Sequence, residues 1–499
     1  MMIPIGAWQP DLPDFENPGA LEAKNVLPDA AGYRPLPSLV AAGTVLGAME
    51  ARVQGAILAR GQGGAIANFA GTAAKLYRWD STGVAWNDVS RTTGGAYGTA
   101  ADGGWSFAQF GDLVIAVNGI DAPQKFAIGS DSRFAALNGT PPVARFVSTV
   151  RDFVVMGRPS GLAQRVHWSG INNAETWASS QATQADFQDL PDGGYVMGIV
   201  GGEYGLVFQE RAIKRMTYVG VPAIFQFDEI ARGTGTPAEG SLAHHENIAF
   251  FLSDDGFFAL DGAQGLRAIG HHRVDRFFWN DVNQTYLNRI SAAVDPINKL
   301  YVVSYPGPGS DLAGGAPNRL LIYNWTADRW SRAEVEMEMI QQAASQAGYT
   351  LDSLDSYLAN LDALPFSLDN RFWTGSGRLL LAGFTPAHMI GFFNGPNLAA
   401  TVDTGEAQLV PGRRALVRSL RPLVEGDTGG ATVSVRTGTR NRTIDPVSFD
   451  APAAMNAFGH CPVRANGRYL RARIEVAAGA TWRHIQGIDE VESTAAGAR

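Results

Sequence analysis

The stretch Asn247-Ile-Ala-Phe-Phe-Leu252, Ser253-Asp-Asp-Gly256, Phe257-Phe-Ala-Leu-Asp-Gly262 decides the fold class. Two apolar runs rich in aromatic and branched side chains flank a short polar turn. Such runs suit strands, and Asp-Asp-Gly reverses a chain tightly. The whole reads as one β-hairpin. The unit recurs on both sides. Phe110-Gly-Asp-Leu-Val-Ile-Ala-Val-Asn118 and Val150-Arg-Asp-Phe-Val-Val-Met-Gly157 each set an acidic turn residue before an apolar run, with Asp112 and Asp152 in equivalent places. Gly201-Gly-Glu-Tyr-Gly-Leu-Val-Phe-Gln209, Asp295-Pro-Ile-Asn-Lys-Leu-Tyr-Val-Val-Ser-Tyr305, Arg319-Leu-Leu-Ile-Tyr-Asn-Trp325 and Arg378-Leu-Leu-Leu-Ala-Gly-Phe384 continue the series.

A recurrence every ~40–50 residues is the spacing of a four-stranded propeller blade. One small sheet cannot cover both its faces, whereas radial packing lets each blade cover the next. The expectation is an all-β chain: a β-propeller of about six blades, with five or seven as alternatives, between about residues 40 and 398. A second repeat supports it. Leu76-Tyr-Arg-Trp79 with Trp86 is echoed by Leu321-Ile-Tyr-Asn-Trp325 with Trp330. These tryptophans read as packing between blades rather than as a platform for a base or sugar.

Three regions depart from the pattern. Residues 1–40 carry Pro4, Pro10, Pro13, Pro18, Pro28, Pro35 and Pro37, and read as an extended N-terminal arm. The first part of the propeller then covers 41–333. Within 334–369, Leu351, Leu354, Leu358 and Leu361 fall at helical spacing, which predicts a short helical insertion before the last propeller strands at 370–398. From 399 to 499, Ala415-Leu-Val-Arg-Ser-Leu-Arg-Pro-Leu-Val424, Ala431-Thr-Val-Ser-Val-Arg436 and Tyr469-Leu-Arg-Ala-Arg-Ile-Glu-Val476 alternate with period two. They predict a β-sandwich-like domain, with a frayed tail from Glu492.

Composition narrows the function classes. The chain has 499 residues, a net charge of −8, 58 glycines and one cysteine, Cys461. It lacks the basic runs of a phosphate-gripping protein. One thiol excludes an intrachain disulfide framework. No apolar run is long enough for a membrane span, and the N-terminus does not resemble a signal peptide, so assembly in a reducing cytoplasm is the expectation.

Signals for chemistry are sparse. His244-His245 and His271-His272 are the best metal candidates, yet neighbours on a strand point to opposite faces and no zinc signature accompanies them. Ala100-Ala-Asp-Gly-Gly-Trp-Ser-Phe107 matches part of the Asp box of sialidase-type propellers, once only, and that box stabilises turns. No nucleophile elbow or phosphate-binding loop is present. No catalytic residue, metal or cofactor is assigned, and the chain is expected not to be an enzyme.

Several strings in order resemble one family. They are Gly-Tyr-Arg-Pro-Leu-Pro-Ser-Leu (32–39), Trp-Ser-Phe-Ala-Gln-Phe-Gly-Asp (105–112), Trp-Ser-Gly-Ile-Asn-Asn-Ala-Glu-Thr-Trp (168–177), Gly-Leu-Val-Phe-Gln-Glu-Arg-Ala-Ile (205–213), Phe225-Gln-Phe-Asp228 with Gly233-Thr-Gly, and Gly270 followed by Val274-Asp-Arg-Phe-Phe278. Together they resemble the tail hub or nozzle propeller proteins of short-tailed bacteriophages, also called tail accessory or head-completion stabilising factors. The resemblance implies a virion location and a homohexameric ring under the portal and its head-to-tail adaptor ring. The ring would extend the channel, retain packaged double-stranded DNA, conduct it without specific binding, and anchor a tail fibre or tail tip. Six copies at −8 each give −48, and a lumen of that sign would repel phosphate. Extended segments wrap neighbours well, which makes Trp8, Phe15 and Tyr33 candidate docking-arm anchors, with packing on the chain's own propeller as the alternative. A carbohydrate-binding or glycan-cleaving propeller acting in receptor recognition is the rival expectation.

Overall fold

The computed structural model describes residues 3–42, 47–79, 85–262, 265–344, 379–427 and 432–497. The hairpin at 247–262 forms as read: Ile248–Ser253 pairs antiparallel with Gly256–Asp261, Phe251 faces Phe258, and Asp254 and Asp255 make the turn. Ala243–His245 and Gly265–Ala268 flank it to complete a four-stranded sheet. Gly111 (φ 60°) and Arg151 (φ 47°) take left-handed conformations at the tips of two further hairpins, which join the first and second strands of their sheets. A two-residue hairpin turn needs such a residue to match the twist of its strands.

Seven four-stranded units follow one another, at residues 55–88, 106–136, 144–189, 196–232, 243–268, 291–333 and 339–397, and are numbered here as blades I to VII. Six are self-contained sheets. Blade VI instead continues outward into a ten-stranded sheet. The chain is therefore a β-propeller of six free-standing blades, with the ring completed by a unit shared with the second domain. The first strands of successive blades pack side by side around the axis. The second strands, such as Phe153–Pro159, Gly205–Gln209 and Leu300–Tyr305, are buried almost throughout. Each lies inside a blade that is covered by a neighbour on both faces. That is why the sequence shows continuous apolar runs there instead of alternation.

The tryptophans fill the spaces between blades. Trp79 and Trp86 of blade I lie against Phe392 and Phe384 of blade VII at ring distances of 6.2 and 6.1 Å. Trp325 of blade VI lies over Phe250 of blade V at 5.4 Å. Trp330 is fully buried between Tyr323 and Phe257, and its indole N–H donates to the Ile269 carbonyl at 3.0 Å.

Blade VII closes with a strand from the other end of the chain. Pro37–Ala41 pairs antiparallel with Ile390–Asn397, setting Val40 opposite Phe392 and Leu39 opposite Phe393. The preceding residues build the second domain. Ala400–Asp403, Tyr469–Val476 and Val433–Arg440 form one face of a sandwich, and Glu22–Lys24 joins this sheet to Arg329–Ala333 of blade VI. Ala415–Asp427, Thr481–Ala495 and Cys461–Gly467 form the opposite face, extended by Ile3–Pro4 and by Gly32–Pro35 with Val26–Asp29. Val417, Leu420, Val435, Cys461, Ile474 and Ile485 are buried between the two sheets. Burial pushes the Cys461 thiol up to about 11.

Three sequence expectations are corrected. The N-terminal segment is extended, as read, but from Ile3 onward it is built into the body rather than standing as an arm: it supplies strands to three sheets, and Pro28, Pro35 and Pro37 stand where a strand edge or end needs no N–H donor. The start of the expected helical insertion is a strand, since Met339–Ala344 is the first strand of blade VII, paired with Leu379–Phe384. Leu351, Leu354, Leu358 and Leu361 lie outside the described residues. The tail is strand as far as Ala495, because Ser493, Thr494 and Ala495 pair with Val417, Leu416 and Ala415.

Candidate functional site

The propeller axis opens at one end into a funnel of about 1240 Å³. It forms where the first strands begin and where the connections between blades gather. Its wall carries four arginines, Arg52, Arg145, Arg158 and Arg289, against four carboxylates, Asp102, Glu210, Glu239 and Glu338. The charges balance in number but not in placement.

One side is fully paired. Glu239, on the connection between blades IV and V, accepts from Arg145 and Arg158 of blade III at 2.8 Å each. Arg145 also donates to the Gly104 carbonyl at 2.6 Å, which ties blade III to the chain entering blade II. Arg158 lies over the ring of Tyr195, 5.5 Å from its centre, and Tyr195 is 47% exposed. One carboxylate shared by two guanidinium groups makes a rigid buttress across the funnel.

On the other side neither Arg52 nor Arg289 makes an ion pair among the described residues. Glu338 is buried; one of its oxygens accepts from the Val53 backbone N–H at 3.1 Å and the other lies 2.5 Å from Nδ1 of His388. Arg52 donates to the Ala101 carbonyl at 2.9 Å. Burial and the nearby Arg289 together bring Arg52 down to about 10, and burial also lowers Arg289. These two arginines also border a side cavity of about 340 Å³ that reaches Ser310, Asn318 and His388.

A third cluster lies where the N-terminal segment meets blade V. Asp11 accepts from the backbone N–H groups of Phe277 and Arg276 at 2.8 and 2.9 Å, and so caps the short helix Asp275–Asp281. Asp275 accepts from the Phe257 N–H at 3.0 Å. Its carboxyl fits between two glycines: a Cβ at Gly256 would come within 2.1 Å of it, and one at Gly270 within 1.9 Å. This close fit is the physical content of the string Gly270 to Phe278.

The candidate anchors are internal. Trp8 is buried edge-on to Phe277 at 5.0 Å and donates to the Leu21 carbonyl. Tyr33 is fully buried, its hydroxyl donating to the Gly6 carbonyl at 3.2 Å. Phe15 is half-buried, edge-on to Tyr469 at 5.1 Å, on a segment bridged to Glu406. All three pack on the chain's own body, which is the alternative to docking on a neighbour: Trp8 and Tyr33 are covered there, and Phe15 is half-buried.

His271 and His272 sit 3.9 Å apart ring to ring on an exposed turn. Among the described residues, no three His, Cys, Asp or Glu side chains gather to hold a metal ion, and no helix is long and apolar enough to cross a membrane. Residues 100–106 of the Asp-box-like string line the funnel; its other residues come from many separated stretches and form no local motif.

No family model matches the chain, and no curated protein matches its sequence. Among solved structures, it is similar to the WD40 domain of Neurospora crassa Pan2, at 8% identity over 74% of this chain and 99% of that one, with a TM-score of 0.38. A chain of the mitotic checkpoint complex aligns at 12% identity over 74% of this chain and 96% of that one, with a TM-score of 0.36. The computationally designed protein Ika8 aligns at 10% identity over 70% and 98%, also with a TM-score of 0.36.

Proposed function

We propose that this chain is a non-enzymatic structural protein of a phage virion: a tail hub or nozzle. It would form a ring, six-fold by resemblance, beneath the head-to-tail adaptor ring of the portal, retain the packaged DNA, conduct it on ejection and carry a fibre or tail tip. The reading begins with the ordered strings that resemble that family. The structural observation that carries it is the way the two domains are joined.

A subunit that docks a portal and holds a fibre has to pass force from one domain to the other without a hinge. Here blade VI runs into the sandwich through a continuous hydrogen-bonded ladder: Arg329–Ala333, Glu22–Lys24, Ala400–Asp403, Tyr469–Val476. Side chains lock the seam. Arg332 grips Glu22 with a fork at 2.7 and 2.8 Å, and Lys24 pairs with Glu334 at 2.9 Å. Ser331 donates to the Val26 carbonyl at 2.6 Å and Asn324 to the Pro28 carbonyl at 3.0 Å. A seam of this kind resists bending at the domain boundary, as a ring subunit under mechanical load requires.

The exposed Tyr195 ring in the funnel favours the rival reading, a carbohydrate-binding propeller, because sugars stack on exposed aromatic faces. One experiment separates the two: the mass of the purified chain in solution, with and without a portal–adaptor complex, followed by negative-stain imaging. A ring with a central channel, alone or templated on the portal, is expected. A monomer that ignores the portal and binds glycans refutes the hub and favours the rival.

A further inference from the structure

A cluster of reactive side chains lies away from the funnel, where blade II meets blade III. Lys125 is on the third strand of blade II, Gln124–Ala127. Asn138 follows the fourth strand, Ala135–Ala136. Glu175 belongs to the connection between Arg165–Trp168 and Asp186–Asp189 of blade III. One carboxylate oxygen of Glu175 touches both of the others: Lys125 Nζ donates to it, and Asn138 Nδ2 donates to it at 3.0 Å. An amine, a carboxamide and a carboxylate therefore meet at one atom.

The backbone holds all three in place. Leu137 and Ala174, the residues just before Asn138 and Glu175, are buried in one apolar cluster between the two blades. The Leu137 N–H donates to the Pro123 carbonyl at 2.8 Å, two residues ahead of Lys125. The Glu175 N–H donates to the Asn173 side chain at 2.9 Å. Gly139 (φ 81°) presses on the Glu175 backbone, where a Cβ would come within 1.7 Å of the carbonyl oxygen. The Lys125 side chain is only 24% exposed, while Asn138 is open to solvent. The hydrogen bond from Lys125, helped by the one from Asn138, lowers the Glu175 carboxyl, so it stands ready as a base.

We propose that Lys125 and Asn138 join in an isopeptide bond, formed by the chain itself with Glu175 as the catalytic group. Glu175 takes a proton from the Lys125 ammonium and frees its lone pair. Nζ adds to Cγ of Asn138, and the bond from Cγ to Nδ2 breaks. Of the three protons on Nζ, one stays in the new amide. The other two pass by way of Glu175 to Nδ2, which leaves as ammonium, and Glu175 ends as it began. One amide replaces another, so nothing is oxidised or reduced. Well-oriented groups held together in this way react at effective concentrations of ~10⁵ M or more. The bond has a structural use that does not depend on a ring. Ala135–Ala136 is the shortest outer strand among the described blades, and both its residues are exposed. The cross-link fastens that edge to the strand inside it.

The intact mass of the purified full-length chain, measured after incubation in warm, mildly alkaline buffer, tests this. A chain lighter than its sequence by one ammonia, about 17 Da, is expected. Trypsin cuts after Arg133, which lies between Lys125 and Asn138, so the digest should contain a branched peptide carrying both residues. Lys125→Arg keeps the charge but lacks the amine, and Glu175→Gln lacks the base; both should run at the full sequence mass. If either variant fails to fold, the branched peptide of the parent decides alone. A parent that stays at its sequence mass overturns the proposal. So does a gain of about 1 Da, which marks hydrolysis of the Asn138 amide by water. So does a loss of ammonia that persists in Lys125→Arg, because that marks a succinimide at Asn138-Gly139.

Discussion

Replacing Asp275 by asparagine should make the chain more stable at neutral pH and leave it unchanged in acid. Burial raises the Asp275 carboxyl from 3.8 to about 6, and the neighbouring Asp11 carboxylate adds to the effect. The Phe257 N–H and His271 oppose it without cancelling it. An unfolded chain releases this proton near the ordinary carboxylate value and the folded chain releases it later. The folded state therefore binds more protons between those two values, and stability falls as pH rises through about 6. The stabilisation is fully present below the unfolded value and lost above the folded one. At about 1.4 kcal/mol per unit the ceiling is ~3 kcal/mol, and the solvent access that Asp275 retains reduces it to ~1–2 kcal/mol.

In the Asp275→Asn variant the side-chain amide oxygen would accept from the same Phe257 N–H but carry no charge at any pH. The difference between parent and variant therefore isolates this one group. Unfolding entropy of ~2.1 cal/mol/K per residue over 499 residues converts ~1 kcal/mol into roughly 1 °C. Scanning fluorimetry at about pH 4, 5, 6 and 7.5 should show the variant melting ~1–2 °C above the parent at the highest pH, with the gap closing towards the lowest. A gap that does not change with pH, or that widens in acid, would refute the reasoning.

Other perturbations test the frame. Asp403 is buried and grips Arg473 with two hydrogen bonds at 2.7 and 2.8 Å; Arg473→Met should cost ~3–5 kcal/mol by stranding the carboxylate, and adding Asp403→Asn should recover much of it in a double-mutant cycle read by urea denaturation. Trp330→Ala should cost ~3–5 kcal/mol, since it empties a fully buried site between blades V and VI, and the same denaturation curves would read it. Deleting residues 1–41 removes strands from three sheets, including the closing strand of blade VII, and should abolish cooperative unfolding in calorimetry and drive the chain to aggregate on size exclusion. If the truncated chain instead melts as one sharp transition, the propeller closes without that strand.

The sequence by itself determined the blades. A hairpin is a local object: its turn residues and its two runs lie close together in the chain, so 247–262 could be read without knowing what covers it. Burial on both faces erased the period-two alternation in the second strands, but the turn chemistry at Asp112 and Asp152 still marked where two of them began, and Asp254 marked where a third one ended. The inter-blade role of Trp79, Trp86 and Trp330 was legible for the same reason, since a repeated aromatic at a strand end has few other uses in such a sheet.

Only the tertiary structure decided what the termini do. Pro37–Ala41 looks like any short extended segment; its partner, Ile390–Asn397, lies at the far end of the propeller sequence, and nothing in either string names the other. Trp8, Phe15 and Tyr33 looked like anchors because apolar residues in a proline-rich segment need a cover, and the sequence does not say whether that cover is a neighbour or the chain itself. The funnel is the extreme case. Arg52 lies in a loop and Arg289 ends the short 3-10 helix Gln284–Arg289, and their shared environment exists only because closing the ring brings the connections of separate blades to one end of the axis, where desolvation acts on whatever charges happen to meet.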